Sequence, residues 1–114
     1  MYIFRGGAFV NPGLSPTEMQ RHMEKWYAWA DALAQQGRHT GGHPLHNGGQ
    51  TIRGRDRVIT DGPFAESKDL VTGSLVIEAA SLEEATALAL GCPVFEMDGS
   101  LEVRPLMAQE AGGG

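Results

Sequence analysis

Apolar positions along the chain recur with two rhythms, one near a period of two and one near 3.6, and their order predicts the elements. Tyr2-Ile3-Phe4 is aromatic and β-branched, which predicts a short opening strand that closes at Gly6-Gly7. Asn11-Pro12-Gly13 marks a turn. Ser15-Pro16-Thr17-Glu18 has the form of a capping box, with serine as N-cap, proline at the first helical position and glutamate at N3. The helix it opens is predicted to run to about Gln36, with Gly37 just past its end. At about 100° per residue, Met19, Met23, Trp26, Tyr27, Ala30, Leu33 and Ala34 share one face. Arg21, Glu24, Ala28, Asp31 and Gln35 share the other, and His22 and Trp29 fall on the flank of the apolar stripe as a packed edge.

Arg38–Leu45 has two histidines and the pair Gly41-Gly42. Glycines inside a strand mark a bulge or the close approach of another backbone or a ligand. His46-Asn47-Gly48-Gly49 is a loop, and Thr51–Arg53 and Arg57–Thr60 flank Gly54-Arg55-Asp56 as a hairpin with a three-residue connection. Asp61-Gly62-Pro63-Phe64-Ala65-Glu66-Ser67-Lys68 follows as a shaped connection, with Phe64 placed to plug the core. Gly73–Ala79 is nearly continuous in its apolar run and predicts a central strand. Ser81-Leu82-Glu83-Glu84 opens a second helix by the same capping pattern, with Leu82, Ala85, Leu88 and Ala89 on one face and Gly91 at its end. Ser100–Leu106 alternates, Leu101 and Val103 against Glu102 and Arg104, and Pro105 finishes it.

Strand, helix, strand, inserted β-hairpin, strand, helix, strand predicts an α+β split βαβ sheet with both helices on one face. The other face then needs water or a second copy. Val76 is expected there, with the aromatic first strand adding to it, and a face-to-face homodimer would enclose a cavity.

Composition narrows the function classes. A chain of 114 residues fits one domain, read as 1–108 with a disordered tail at 109–114. A formal charge of −5 argues against a nucleic-acid partner, and Arg53, Arg55 and Arg57 read as the solvated face of the hairpin. The single Cys92 excludes an internal disulfide, suits a reducing cytoplasm and reads as a small buried residue. No apolar run approaches the ~20 residues of a membrane helix, and Met1–Phe4 is too short for a signal peptide.

Thr60–Lys68 with its DGPFAE motif, Gly73, Ser81–Ala85 and Glu102-Val103-Arg104-Pro105-Leu106 together resemble the YCII-related family, in particular its DGPF-domain branch. The likeness also takes in the Ser15–Met19 stretch and Gly41-Gly42 before Pro44-Leu45. What the resemblance implies is a ferredoxin-like fold that pairs through its sheet into a dimeric α/β barrel. It implies no particular reaction. Some relatives are encoded beside, or fused to, extracytoplasmic-function sigma factors, which makes a sigma factor an expected partner.

The candidate chemistry centres on Asp61 and His43. Asp61 either caps the turn at Gly62-Pro63 or stands at a cavity rim, where burial would raise its pKa enough for it to act as a base. His43, after the glycine pair, is its natural partner in proton transfer, and His39 shares its side of a regular strand. Arg5, Glu102 and Arg104 form either an ion-pair ladder across the first and last strands or a ligand site in which Arg104 and Arg5 bind a small carboxylate or phosphate, with Glu102 and Glu66 counted among its residues. Glu66 and Lys68 also read as a plain exposed ion pair. His39, His43 and His46 lack the convergent spacing of a metal site, and no glycine-rich phosphate loop follows a strand, so neither a metal nor an organic cofactor is expected. The expected function is a small cofactor-independent enzyme doing acid–base chemistry on a small organic molecule, with Asp61 and His43 in a dimer cavity. The alternative is a ligand-binding or regulatory module linked to a sigma factor.

Overall fold

The computed structural model, which describes residues 1–11, 13–62 and 66–107, opens on a strand that becomes one of the two inner members of a sheet. This is β1 (Tyr2–Arg5), followed by a 3-10 turn at Ala8–Val10, α1 (Pro16–Gln35) and β2 (His39–Gly41). A hairpin of β3 (Gln50–Arg53) and β4 (Val58–Asp61) comes next, then β5 (Val71–Ile77), α2 (Leu82–Ala89), a 3-10 turn at Pro93–Met97 and β6 (Ser100–Val103). Four strands lie in the order β2-β5-β1-β6, each antiparallel to its neighbours, and β3-β4 form a separate two-stranded sheet. The arrangement is α+β and compatible with a ferredoxin-like fold. Pro63, Phe64 and Ala65 lie outside the described residues, as do Pro12 and the tail, so the plug expected of Phe64 falls outside them too.

Both helices begin as their sequences predict. Ser15 Oγ accepts from the Glu18 N–H and Ser81 Oγ from the Glu84 N–H, each at 3.1 Å. α1 ends on Gly37, whose φ of 72° lets its N–H reach Ala34 O and the Arg38 N–H reach Leu33 O. The Glu84 carboxylate accepts from the Ala80 N–H and from Arg38 Nη1. These donors hold its pKa below the usual carboxylate value and tie the start of β2 to α2.

The core is built on β1. Tyr2 and Phe4 are buried beneath the helices, opposite Leu75 and Gly73 on one side and Val103 and Leu101 on the other. This corrects the expectation that the aromatic strand adds to the open face. Two rings of this size contribute more beneath the helices, at about 1.5–3 kcal/mol each, than half-covered on the other side. Ile3 and Arg5 take the open face instead, with Ser74 and Glu102 opposite Ile3. The Tyr2 hydroxyl donates to Ala85 O and the Trp29 indole N–H to Leu88 O, so the two rings pin α2 while their polar tips stay satisfied. Cys92 is buried in the same cluster, and desolvation pushes its thiol up to about 12.

α1 is turned relative to the stripe its periodicity predicts. Its innermost residues are His22 and Leu33, with Trp26 and Trp29 packed on the core, while Tyr27 is 67% exposed and Ala34 is exposed. The two indoles fix the turn, because Trp26 meets Phe4 edge-on at 4.9 Å and Trp29 stacks on Tyr2 at 5.8 Å. The hairpin connection is likewise one residue longer than predicted. Arg53 pairs with Val58, and Arg57 sits in the turn at φ 53°.

His22 carries a pH signature. Its Nε2 accepts from the Trp26 indole N–H at 2.9 Å, so the neutral ring holds its proton on Nδ1, 3.8 Å from Glu96. Burial lowers its pKa; Glu96 opposes the shift and Lys25 adds to it. The unfolded chain therefore binds more protons than the folded one just below the ordinary histidine value, and stability falls as pH falls through that range. Urea denaturation followed by circular dichroism should show a midpoint that declines from pH 7 to pH 5.5, with a clearly flatter dependence in His22→Gln.

Candidate functional site

A cleft of about 230 Å³ opens between α1 and the helix-covered face of the sheet, beside β2. Backbone geometry creates it. At β2 the pairing with β5 slips between His39 and Gly41, and Gly42 continues at φ 119° with its Cα against the chain of β5. A Cβ on Gly42 would lie 2.3 Å from Ser74 O. The glycine pair thus marks both the bulge and the close backbone approach that its sequence predicts. Ser74 N–H then bonds to His43 O at 3.0 Å and Leu45 N–H to Thr72 O at 2.9 Å, locking His43 and Pro44 alongside β5.

The walls are aromatic: Phe4, Trp26 and Trp29 inside, Phe9 and Tyr27 toward solvent. His39 and His43 both line the cleft, with Thr72 and Ser74 between strands. The Thr72 hydroxyl lies 3.4 Å from Phe4 O and 3.3 Å from Gly6 O, so it is engaged with β1. Among the described residues, no Asp, Glu, Lys or Arg lines the space. Among the described lining residues, the ionisable side chains are the imidazoles of His39 and His43 and the phenol of Tyr27.

The predicted site residues divide between regions. His43 is in the cleft. Asp61 ends β4, exposed and paired with Gln50, and is not among the cleft's lining residues. Arg5 and Glu102 form an ion pair at 2.5 Å on the open face of the sheet, and Arg104 approaches the same carboxylate at 3.6 Å. The ladder expected across the first and last strands is present, and exposed pairs of this kind contribute about 0–1 kcal/mol. Glu66 and Lys68 are 3.8 Å apart and well exposed. His46 turns to its own loop, its Nδ1 accepting from the Gly48 N–H at 3.2 Å. No group of three or more His, Cys, Asp or Glu gathers in a metal-holding arrangement among the described residues.

His43 lines the cleft, whereas the aromatic walls were not expected from the sequence, because Trp26 and Trp29 read as ordinary packing. The available signal was the width of the apolar stripe on α1, more than a narrow sheet edge fills. Gly42 sets the position of His43. Gly42→Ala is expected to cost about 2–3 kcal/mol, through its positive φ and the Ser74 clash. A chemical denaturation curve measures that loss.

Comparison with known sequences agrees with the resemblance. Residues 8–109 match the model of the YCII-related domain, which takes in every element after β1. A protein of Rhizobium meliloti (strain 1021), described as uncharacterized, is 40% identical over 68 residues, covering 59% of this chain. The aligned stretch is 50% of that protein's length, so the chain spans about half of the relative it matches.

Proposed function

The chain belongs to the YCII-related domain family, and from that premise we propose that it binds a small, uncharged, largely apolar molecule in the cleft beneath α1. The observation that carries this reading is the lining itself: aromatic walls, two imidazoles and no fixed charge among the described residues. A charged ligand buried there would lack a counter-charge, at a cost of several kcal/mol. A volume of about 230 Å³ suits a compact ligand, below the size of a drug-like one. His43 supplies the polar end, as a hydrogen-bond partner and as a base or acid near neutral pH.

Catalysis is the finer part of the proposal. His43 exchanges the proton, and Asp61 joins it only if a second copy brings the carboxylate to the cleft. No organic cofactor is invoked. The homodimer and its α/β barrel are a separate part of the proposal, supported by the opposite sheet face, on which Ile3 and Val76 are only half-buried. The Arg5–Glu102–Arg104 ladder offers that interface polar contacts that are already paired. Regulation, including action on an extracytoplasmic-function sigma factor, is the alternative output of the same binding event.

Indole and phenol are suitable neutral aromatic probes. Saturable binding heat in a calorimetric titration is expected, and Ala30→Trp should abolish it by filling the mouth. His43→Ala should weaken binding about fivefold, the worth of one hydrogen bond near 1 kcal/mol. The proposal fails if neither probe binds saturably, or if Ala30→Trp leaves binding intact.

A further inference from the structure

His22 is a buried ionisable side chain, 2% exposed on the inner side of α1, and its two ring nitrogens are differently engaged. The Trp26 indole N–H can only donate, so the 2.9 Å contact makes His22 Nε2 an acceptor without a proton. Nδ1 then carries the proton, yet it is a buried atom with no hydrogen-bond partner among the described residues. Buried polar atoms are ordinarily paired, and this one is not.

The charged groups that bear on the ring are Glu96, from the 3-10 turn at Pro93–Met97, and Lys25 on α1 itself. Glu96 Oε2 stands 3.8 Å from Nδ1, while both oxygens of that carboxylate accept from Lys25 Nζ at 3.1 Å. A carboxylate is thus held just short of the imidazole by a competing cation. Gain of a proton changes both ends of the ring. Imidazolium donates from both nitrogens, so its Nε2–H opposes the Trp26 N–H, donor against donor, and that bond is lost. At the other end Nδ1–H becomes a charged donor that draws Glu96 away from Lys25. Both displaced parts border the cleft. Trp26 is one of its aromatic walls, and Val94, two residues before Glu96, also lines it.

We propose that His22 is a proton-sensing positioning residue: its neutral ring holds Trp26 in the cleft wall, its protonation releases the indole, and the cleft then binds its ligand more weakly at acid pH. The effect on binding rests on the cleft being the ligand site; the proton-linked movement of Trp26 does not. Coupling of this kind is reciprocal, so a ligand that needs Trp26 in place also keeps His22 neutral.

Proton–nitrogen correlation spectra of the ligand-free chain, recorded from pH 7.5 down to pH 5, test the movement. The Trp26 indole N–H signal should shift together with the His22 ring, while the Trp29 indole N–H, bonded to Leu88 O, stays fixed. In His22→Gln, which keeps an acceptor but takes no proton, the Trp26 signal should not shift. Glu96→Gln retains His22 and removes the carboxylate that favours its protonation, so the transition should move to lower pH. A Trp26 signal that stays fixed throughout, shifts equally in His22→Gln, or shifts only together with Trp29 would overturn the proposal. Calorimetric titration with indole tests the effect on the cleft, in a His43→Ala background that removes an imidazole of the lining. Affinity there should be about fivefold weaker at pH 5.5 than at pH 7.5, and adding His22→Gln should remove most of that difference. A pH dependence that His22→Gln leaves unchanged overturns the control of binding. Spectra that behave as expected in a chain that binds neither indole nor phenol at pH 7.5 would reject the ligand site and leave the proton-linked movement standing.

Discussion

The aromatic cluster that β1 carries under α1 is the interaction on which the other features depend. Tyr2 and Phe4 are one strand's inward residues, and they meet Trp26 and Trp29 on the helix above. That contact decides how α1 is rotated. It also pins α2, through the bonds from Tyr2 to Ala85 O and from Trp29 to Leu88 O. With the rings gathered over β1, the rest of the apolar stripe of α1 extends beyond the surface the sheet offers. Met23, Tyr27 and Ala30 then border an opening beside β2 where a wider sheet would have filled the space.

A second constraint acts at the same edge. Gly42 lets the chain after β2 press onto β5, and that contact delivers His43 to the opening. Charge is kept elsewhere. Arg5, Glu102 and Arg104 lie on the far face of the sheet, and the arginines of the hairpin lie at its tip. The described lining of the cleft therefore holds no Asp, Glu, Lys or Arg, and its two imidazoles, His39 and His43, stand exposed.

The degree to which each part was legible follows from the range of the interactions that set it. Ser15, Gly37 and Ser81 mark helix ends through bonds to residues a few positions away, so their roles could be read directly from the chain. The Arg5–Glu102 pair was legible because strand order places the first and last strands together. The rotation of α1 was not, since Tyr27 and Trp29 are equally apolar and only the partner rings on β1 choose between them. The extra residue in the hairpin turn was hidden for a related reason: Arg57 adopts a positive φ that its residue type does not advertise.

By itself the sequence determined the family, the order of strands and helices, the capped ends and the glycine pair that breaks β2, because each rests on local backbone preference or on short motifs. It also singled out His43 and Asp61 by residue type and neighbourhood. Only the tertiary structure decided that the aromatic strand faces inward, that the cleft lies under α1, and that His43 enters it while Asp61 stands on the exposed hairpin. Those outcomes come from competition among long-range packing contacts of similar strength, and no local pattern ranks such contacts.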